Sequence, residues 1–241
     1  MKLLAYLRLI LRARKYRYRN DPGEISYLFN KIKKGDIVFD IGAHKGAYLY
    51  YMCRLAGKEG KVYAFEPQSI LYKYLCGLKT LFATEPVIEN LALSETNKEM
   101  TLLIPAHKTK NISSPGASLN NKFEGQKIAN TELIQSVRLD DYCQNKHIYP
   151  NFLKIDVEGH ELEVLKGAEN ILKNYKPAIL IEIEQRHIGQ EKLNETFVFL
   201  LSMGYKGYFF KLEQKTVLEE FKAETHQKQG TKPYCNNFVF E

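Results

Sequence analysis

Ile37-Val38-Phe39-Asp40-Ile41-Gly42-Ala43-His44-Lys45-Gly46 is an apolar run that stops at a glycine turn. A short apolar run bounded by turn residues suits a strand buried on both faces. Ala47 to Leu55 follows as a helix, and Lys61 to Phe65 as a second strand closed by Glu66-Pro67. Ser69 to Phe82 reads as the next helix and Val87 to Leu93 as a third strand. This alternation predicts an α/β fold with a mostly parallel sheet, right-handed crossovers and helices on both faces. The pattern resumes at Phe152 to Asp156, a strand leading through Val157-Glu158-Gly159-His160 into a helix that turns Leu162, Leu165, Ala168 and Leu172 inward. Ala178 to Ile183 is a further strand and Phe197 to Met203 a helix. Tyr208-Phe209-Phe210 and Phe238-Val239-Phe240 are expected to close the sheet as a hairpin with a long loop between them.

Residues 94–140 interrupt the alternation. Met100 to Ile104 and Leu133 to Leu139 read as two strands flanking a loop rich in Asn, Ser, Gly and Lys. Long irregular loops inside a domain are commonly functional, so this insertion is expected to form a substrate lid. Asp140 and Asp141 are expected to cap the short helix that follows them. The division is therefore a basic amphipathic arm over residues 1–30 and a single domain over residues 31–241, with the insertion inside the latter.

Of 241 residues, 44% are hydrophobic and 26% charged, which excludes a disordered, collagen-like or coiled-coil chain. Lys and Arg number 35 against 28 Asp and Glu, a formal net charge of +7. Lys2, Arg8, Arg12, Arg14, Lys15, Arg17 and Arg19 account for the whole excess, and no acid falls among the first twenty residues. The remainder is balanced and carries no broad phosphate-binding footprint, so no nucleic-acid partner is expected. Cys53, Cys76, Cys143 and Cys235 are too widely spaced for a structural zinc site and suit reduced thiols in the cytoplasm.

The arm places Leu3, Leu7, Ile10 and Leu11 on one helical face and Arg8, Arg12, Lys15 and Arg19 on the other. It is far too short to span a bilayer, which takes roughly 20 apolar residues. Arg8 breaks the apolar core that a signal peptide would need, and no small-residue cleavage site follows. Two readings stay open: an interfacial helix on the inner face of the membrane through residues 1–20, or a helix packed on the domain with its basic face in water.

The turn after the first strand has the form G-x-x-x-G, with His44 where dinucleotide-binding turns carry their second glycine. A side chain there obstructs a pyrophosphate, which counts against an NAD(P)-dependent oxidoreductase. Glu66 ends the second strand twenty residues after Gly46, where an acid can accept both ribose hydroxyls of an adenosine ligand. Asp40 adds a carboxylate beneath the turn, suited to a cationic group. Adenosine with a positive appendage describes S-adenosylmethionine. The expected cofactor set is Asp40, Gly42, His44, Gly46, Glu66 and Asn90. Singly, the two glycines could serve tight packing and Glu66 a solvated turn; their joint placement at successive strand ends favours a ligand.

VFDIGAHKGAY, VYAFEPQ, VRLDDY, FLKIDVEGHELEVLKGAENIL and AILIEIE, in that order, resemble the successive motifs of FkbM-type methyltransferases. The resemblance runs from about Ile37 to the carboxyl end and leaves the arm outside. It implies a class I methyltransferase, Rossmann-like fold with a seven-stranded sheet whose last strand is antiparallel. It also implies methylation of a hydroxyl on a sugar, glycan or natural product. The family's cofactor contacts map onto Asp40, Gly42, Gly46 and Glu66, whereas many relatives carry Asn in place of His44.

An aliphatic hydroxyl needs its proton removed before it attacks a methyl donor. Asp156, Glu158 and His160, clustered after the fourth buried strand, are the candidates for that base. Their structural alternatives are a cap and dipole partners for the following helix. Asp156, Glu158 and Glu184 have the oxygen ligands that a divalent cation prefers, but nothing in their spacing demands one, and no metal is expected. A non-catalytic membrane or nucleic-acid adaptor working through the arm is the remaining alternative.

Overall fold

Strands apolar on both faces must be covered on both, and the computed structural model shows how this chain does it. It describes residues 2–105, 117–119, 128–230 and 232–241. The chain begins with α1 (Lys2–Lys15), a wider helical turn at Tyr16–Asn20, α2 (Pro22–Lys31) and β1 (Ile37–Ile41). Then come α3 (Ala47–Ala56), β2 (Lys61–Phe65), α4 (Ser69–Leu78) and β3 (Val87–Glu89). Next is β4 (Ala92–Leu93), and the insertion supplies β5 (Lys98–Pro105) and β6 (Ile128–Val137). The second half holds α5 (Leu139–Lys146), β7 (Phe152–Ile155), α6 (Glu161–Lys166), α7 (Glu169–Asn174), β8 (Ala178–Glu182) and α8 (Gln185–Ser202). It ends with β9 (Gly207–Lys211), β10 (Gln214–Val217), α9 (Ala223–His226) and β11 (Asn237–Phe240).

The main sheet has the order β10-β9-β11-β8-β7-β1-β2-β3. The strands from β8 to β3 are parallel, and β11 runs antiparallel between β8 and β9. This is the expected class I arrangement with one strand more: β10 adds an eighth at the edge, antiparallel to β9. Its sequence, Gln214-Lys215-Thr216-Val217, turns only Thr216 inward, so it lacks the apolar signature of its neighbours. Polar edge strands of this kind also discourage pairing with other chains.

Alternation along β1 divides the core. Phe39 and Ile41 join Tyr142, Leu165 and Leu172 on one face, while Val38 joins Leu9, Leu28, Leu49 and Met52 on the other. Ile25 and Leu28 of α2 and Ile32 beyond it share that second core with Leu9 and Ala13 of α1, so the first thirty residues pack into the same cluster as the body.

The arm differs from its helical-wheel reading. Leu9 and Ala13 are its buried residues, whereas Leu3, Leu7 and Leu11 are exposed and Ile10 half-buried. Arg12 turns partly inward and donates to the Lys45 carbonyl at 3.3 Å. The helix packs by its small and medium apolar residues and turns its leucine stripe outward.

The two strands expected in the insertion are joined by a third from just before it. β5 and β6 form a long antiparallel pair, and β4 joins β6 in parallel. The predicted third strand is thus cut in two at Asn90-Leu91, its second part belonging to a different sheet. The loop rich in Asn, Ser, Gly and Lys, read as the lid, lies largely outside the described residues. The helix expected after His160 is also divided, at Gly167, where an added Cβ would lie 2.0 Å from the Ser94 carbonyl oxygen. Asp140 does not cap its own helix. Its carboxylate instead accepts the Asn170 and Ile171 amides at 3.1 and 3.0 Å, capping α7, and Asp141 accepts from Asn97. Two elements distant in sequence are joined there, which local spacing cannot reveal.

Candidate active site

Helices following β1 and β7 leave the sheet on opposite faces, so a crevice opens at the carboxyl ends of these neighbouring strands. A pocket of about 220 Å³ occupies it. Gly42, His44 and Glu66 form one side, Asp156, Glu158 and Glu182 the other. Leu102 and Leu119 of the inserted segment supply an apolar wall.

The crevice depends on a contact only glycine permits. Gly42 has φ +82°, and a Cβ there would lie 1.8 Å from the Asp156 carbonyl oxygen. Its amide and that of Ala43 donate to the Phe65 carbonyl at 3.0 and 3.1 Å, tying the first turn to the end of β2. Gly46, at φ +75°, opens α3 and packs beneath Leu75 and Leu9.

Glu66 is buried, and both of its oxygens are held by backbone. Oε2 accepts the His44 amide at 2.7 Å and Oε1 the Gln68 amide at 2.9 Å. Burial pushes its carboxyl up to about 7, against the pull of those two amides, with Asp40 and Asp156 adding to the rise. The solvated-turn alternative for Glu66 does not match this burial. His44 adopts φ +48°, and its buried Nε2 has no hydrogen-bond partner among the described residues. Burial, then Lys45, lower its pKa to about 4, so the ring is neutral near pH 7. Asn90 stands one layer back: its Nδ2 donates to the Glu66 and Pro67 carbonyls at 3.0 and 2.9 Å. It shapes the turn that carries Glu66 and is not among the pocket-lining residues.

Asp40 shares its sheet face with Val38 and points under α3, toward a smaller adjoining cavity of about 30 Å³. Beside it on β7 stands Lys154, a residue that motif and spacing do not single out. Its Nζ lies 2.8 Å from Asp156 Oδ2, 3.9 Å from Asp40 Oδ1 and 5.1 Å from the centre of the Tyr48 ring. Burial opposes the ammonium, but Asp156 and Asp40 outweigh it, and the Lys154 pKa rises. The ammonium leans toward Asp156, which leaves Asp40 undercompensated: burial carries its carboxyl up to about 6 despite Lys154. Neither Asp40 oxygen has a hydrogen bond of good geometry among the described residues. The cation that Asp40 faces here is therefore the chain's own.

The three candidate bases converge on the far side of the pocket, each engaged by another side chain. Asp156 is held by Lys154. Glu158, at φ +56°, has Oε2 3.4 Å from His187 Nδ1, and its carbonyl accepts the Ser118 hydroxyl at 2.8 Å. His160 is buried, with Nε2 2.9 Å from Ser94 Oγ and Nδ1 3.6 Å from Glu163 Oε2. Burial lowers its pKa. The Asp156 carboxylate accepts from Lys154, while at the start of α6 it is Glu161 whose Oε1 accepts the Gly159 amide at 2.8 Å.

Glu182, at the end of β8, also reaches this pocket and is likewise missed by sequence reasoning. Burial, then Asp156, Glu184 and Glu158, raise its carboxyl well above the usual range, and Asn236 donates to it at 2.8 Å. A signal exists: Asp40, Glu66 and Asp156 are acids at or near the ends of parallel strands, and Glu182 obeys the same rule. Glu184, considered for a cation, is instead engaged by Arg186, Tyr234 and Asn236. Among the described residues no group of three or more His, Cys, Asp or Glu is arranged to hold a metal.

Residues 40–207 match the methyltransferase FkbM domain. The chain is 27% identical over 181 residues to the hexuronic acid methyltransferase AglP of Haloferax volcanii, covering 74% of this chain and 67% of that protein. The crystal structure of methyltransferase FkbM from Methylobacillus flagellatus KT superposes with a TM-score of 0.54 at 17% identity. That match covers 100% of this chain but 59% of the other, and it bears on the fold alone. With the domain match extending from the first strand to the start of β9, the chain belongs to the FkbM methyltransferase domain family.

Proposed function

We propose that the chain moves a methyl group from S-adenosylmethionine to a hydroxyl of a saccharide. The observation that carries the reading is Glu66: a buried carboxylate, fixed by two backbone amides, on the wall of a pocket whose floor requires a residue without a Cβ. A ribose needs such an acceptor pair, and the orphaned Nε2 of His44 offers a further polar contact to the same ligand. The saccharide acceptor is favoured by the relative named for hexuronic acid.

The bound donor would supply an activated methyl group for in-line displacement. The chain's own part is to align the acceptor hydroxyl, exclude water and take the proton. Asp156 is suited to taking the proton, because Lys154 fixes one of its oxygens and it stands on the crevice side. Glu182, which holds its proton more tightly than an ordinary carboxyl, offers an acceptor hydroxyl a hydrogen-bonding partner beside it. Leu102 and Leu119 shield the opposite wall.

Titration with S-adenosylhomocysteine and, separately, NADPH tests the cofactor. Binding of the first, weakened in Glu66→Ala, is expected; binding of NADPH alone would overturn the proposal. Label transfer from methyl-labelled donor to hexuronate-bearing oligosaccharides tests the acceptor. Transfer to amines in place of hydroxyls would sink the O-methyl assignment.

A further inference from the structure

The outward face of α1 has no partner among the described residues, although the helix itself is clamped in place. Leu9 and Ala13 are fully buried against the body, and Arg12 is tied to the Lys45 carbonyl. With that side fixed, Leu3, Leu4, Leu7 and Leu11 stand 69%, 55%, 48% and 65% exposed. Positions 3, 7 and 11 succeed one another along a single helical stripe, and Leu4 widens it. Arg8 sits beside Leu4 and Leu11, while Arg14 and Lys15 continue the same outer surface one turn on; all three are exposed. Past the helix, Tyr18 is also exposed, and the Arg17 guanidinium lies 4.6 Å from the centre of the half-exposed Phe29 ring. No acid lies among these residues, and the basic excess of the entire chain is concentrated here.

We infer that this face docks the protein on an anionic phospholipid surface, with α1 lying in the plane of the interface. Leucines at the acyl boundary and Arg and Lys at headgroup level are the arrangement an interfacial helix requires. Charge complementarity selects this occupant over a second copy of the chain. A symmetric dimer through the same face would bring Arg8, Arg14 and Lys15 of both copies together with no acid to balance them. No described helix is long and apolar enough to cross a membrane, so the contact is peripheral. The inference is independent of the methyl-transfer reading.

Co-sedimentation of the full chain with vesicles tests it, comparing phosphatidylcholine alone with an equal mixture of phosphatidylcholine and phosphatidylglycerol. The expected result is binding to the mixed vesicles at least tenfold tighter than to neutral ones, weakened by salt. Leu7→Glu with Leu11→Glu should remove binding, and Arg8→Glu with Arg14→Glu and Lys15→Glu should remove the preference for anionic lipid. Both variants alter exposed positions, so circular dichroism and melting temperature should stay at parental values. Failure to bind mixed vesicles, binding indifferent to both variants, or a dimer that the leucine variant dissolves would each overturn the inference.

Discussion

The turn after β2 and the turn after β7 both deliver carboxylates to one pocket, but they are held by different means. Glu66 is fixed by the amides of His44 and Gln68, and its own turn is tied back through Asn90. Asp156, Glu158 and His160 depend on other side chains: Lys154 of the preceding strand, His187 and Ser94. Backbone anchoring keeps its geometry while flanking side chains vary, which suits the part of a site that binds an invariant ligand. Side-chain anchoring lets the opposite wall be retuned by substitution, which suits the part that meets a variable acceptor.

Removing the central side-chain anchor should have the largest effect. Lys154→Met leaves Asp40 and Asp156 without their shared cation, and breaking a buried pair of this kind costs roughly 3–5 kcal/mol. The loss should depend on pH. Asp40 already has a folded pKa of about 6, raised from 3.8, so its contribution is present at low pH and is lost as pH rises through about 6. Without the ammonium that window moves upward. Urea unfolding should therefore show the deficit of the variant greatest above pH 7 and shrinking toward pH 5. A deficit constant across that range would mean Lys154 acts through packing alone.

Gly42→Ala attacks the point where the two halves meet. A methyl group 1.8 Å from the Asp156 carbonyl oxygen forces the turns apart, and overpacking of this kind costs about 1–3 kcal/mol. The left-handed conformation adds to that. Loss of S-adenosylhomocysteine binding is expected together with lower stability. Gly167→Ala makes a similar clash, 2.0 Å from the Ser94 carbonyl oxygen, but where the inserted sheet meets the body. It should lower stability by a similar amount and leave donor affinity within about threefold of the parent. Equal losses of donor affinity in the two variants would erase the distinction between the halves.

The same distinction explains what the sequence disclosed. Gly42, Gly46 and Glu66 announce themselves by spacing because backbone conformation imposes it, and the buried strands do so by continuous apolar runs such as Ile37–Ile41. Lys154 and Glu182 are silent because each sits inside a strand pattern: Lys154 gains its meaning by joining Asp156, two residues on, to Asp40 on the neighbouring strand, and Glu182 by meeting Asp156 and Asn236 across the fold. Asp140 shows the same limit, since it caps α7 across the fold and not the helix it begins. β10 escapes for a different reason, since a polar edge strand carries too little periodicity to be seen, and β4 reads as the end of the third strand because two residues carry no sign of a change of sheet. The arm was legible in its charge but not in its orientation, because helical spacing marks an apolar stripe without saying whether protein covers it.

Glu66→Gln offers a milder probe of the backbone-anchored half. The amide keeps the shape but turns an N–H₂ toward one of the two donors, His44 or Gln68, that the carboxylate accepts from. A lost charged hydrogen bond corresponds to about 1.5–3 kcal/mol, or roughly tenfold to a hundredfold weaker S-adenosylhomocysteine binding.

The smallest expected effect is a pH dependence that separates affinity from stability in this half. Burial carries the Glu66 carboxyl to about 7 from 4.5, so its contribution to folding is full below about 4.5 and declines as pH rises through about 7. On the proposed reading, ribose recognition has the opposite sign, because the ionised form is the better acceptor for two hydroxyls. From pH 6 to pH 8 the ionised fraction rises about tenfold for a group titrating midway. Calorimetric affinity for S-adenosylhomocysteine should tighten by up to that factor while the ligand-free melting temperature falls. In Glu66→Gln both slopes should flatten. Affinity that weakens with pH in the parent would place Glu66 in the protonated state when bound, a hydrogen-bond donor to the ligand, and would reverse the role assigned to it.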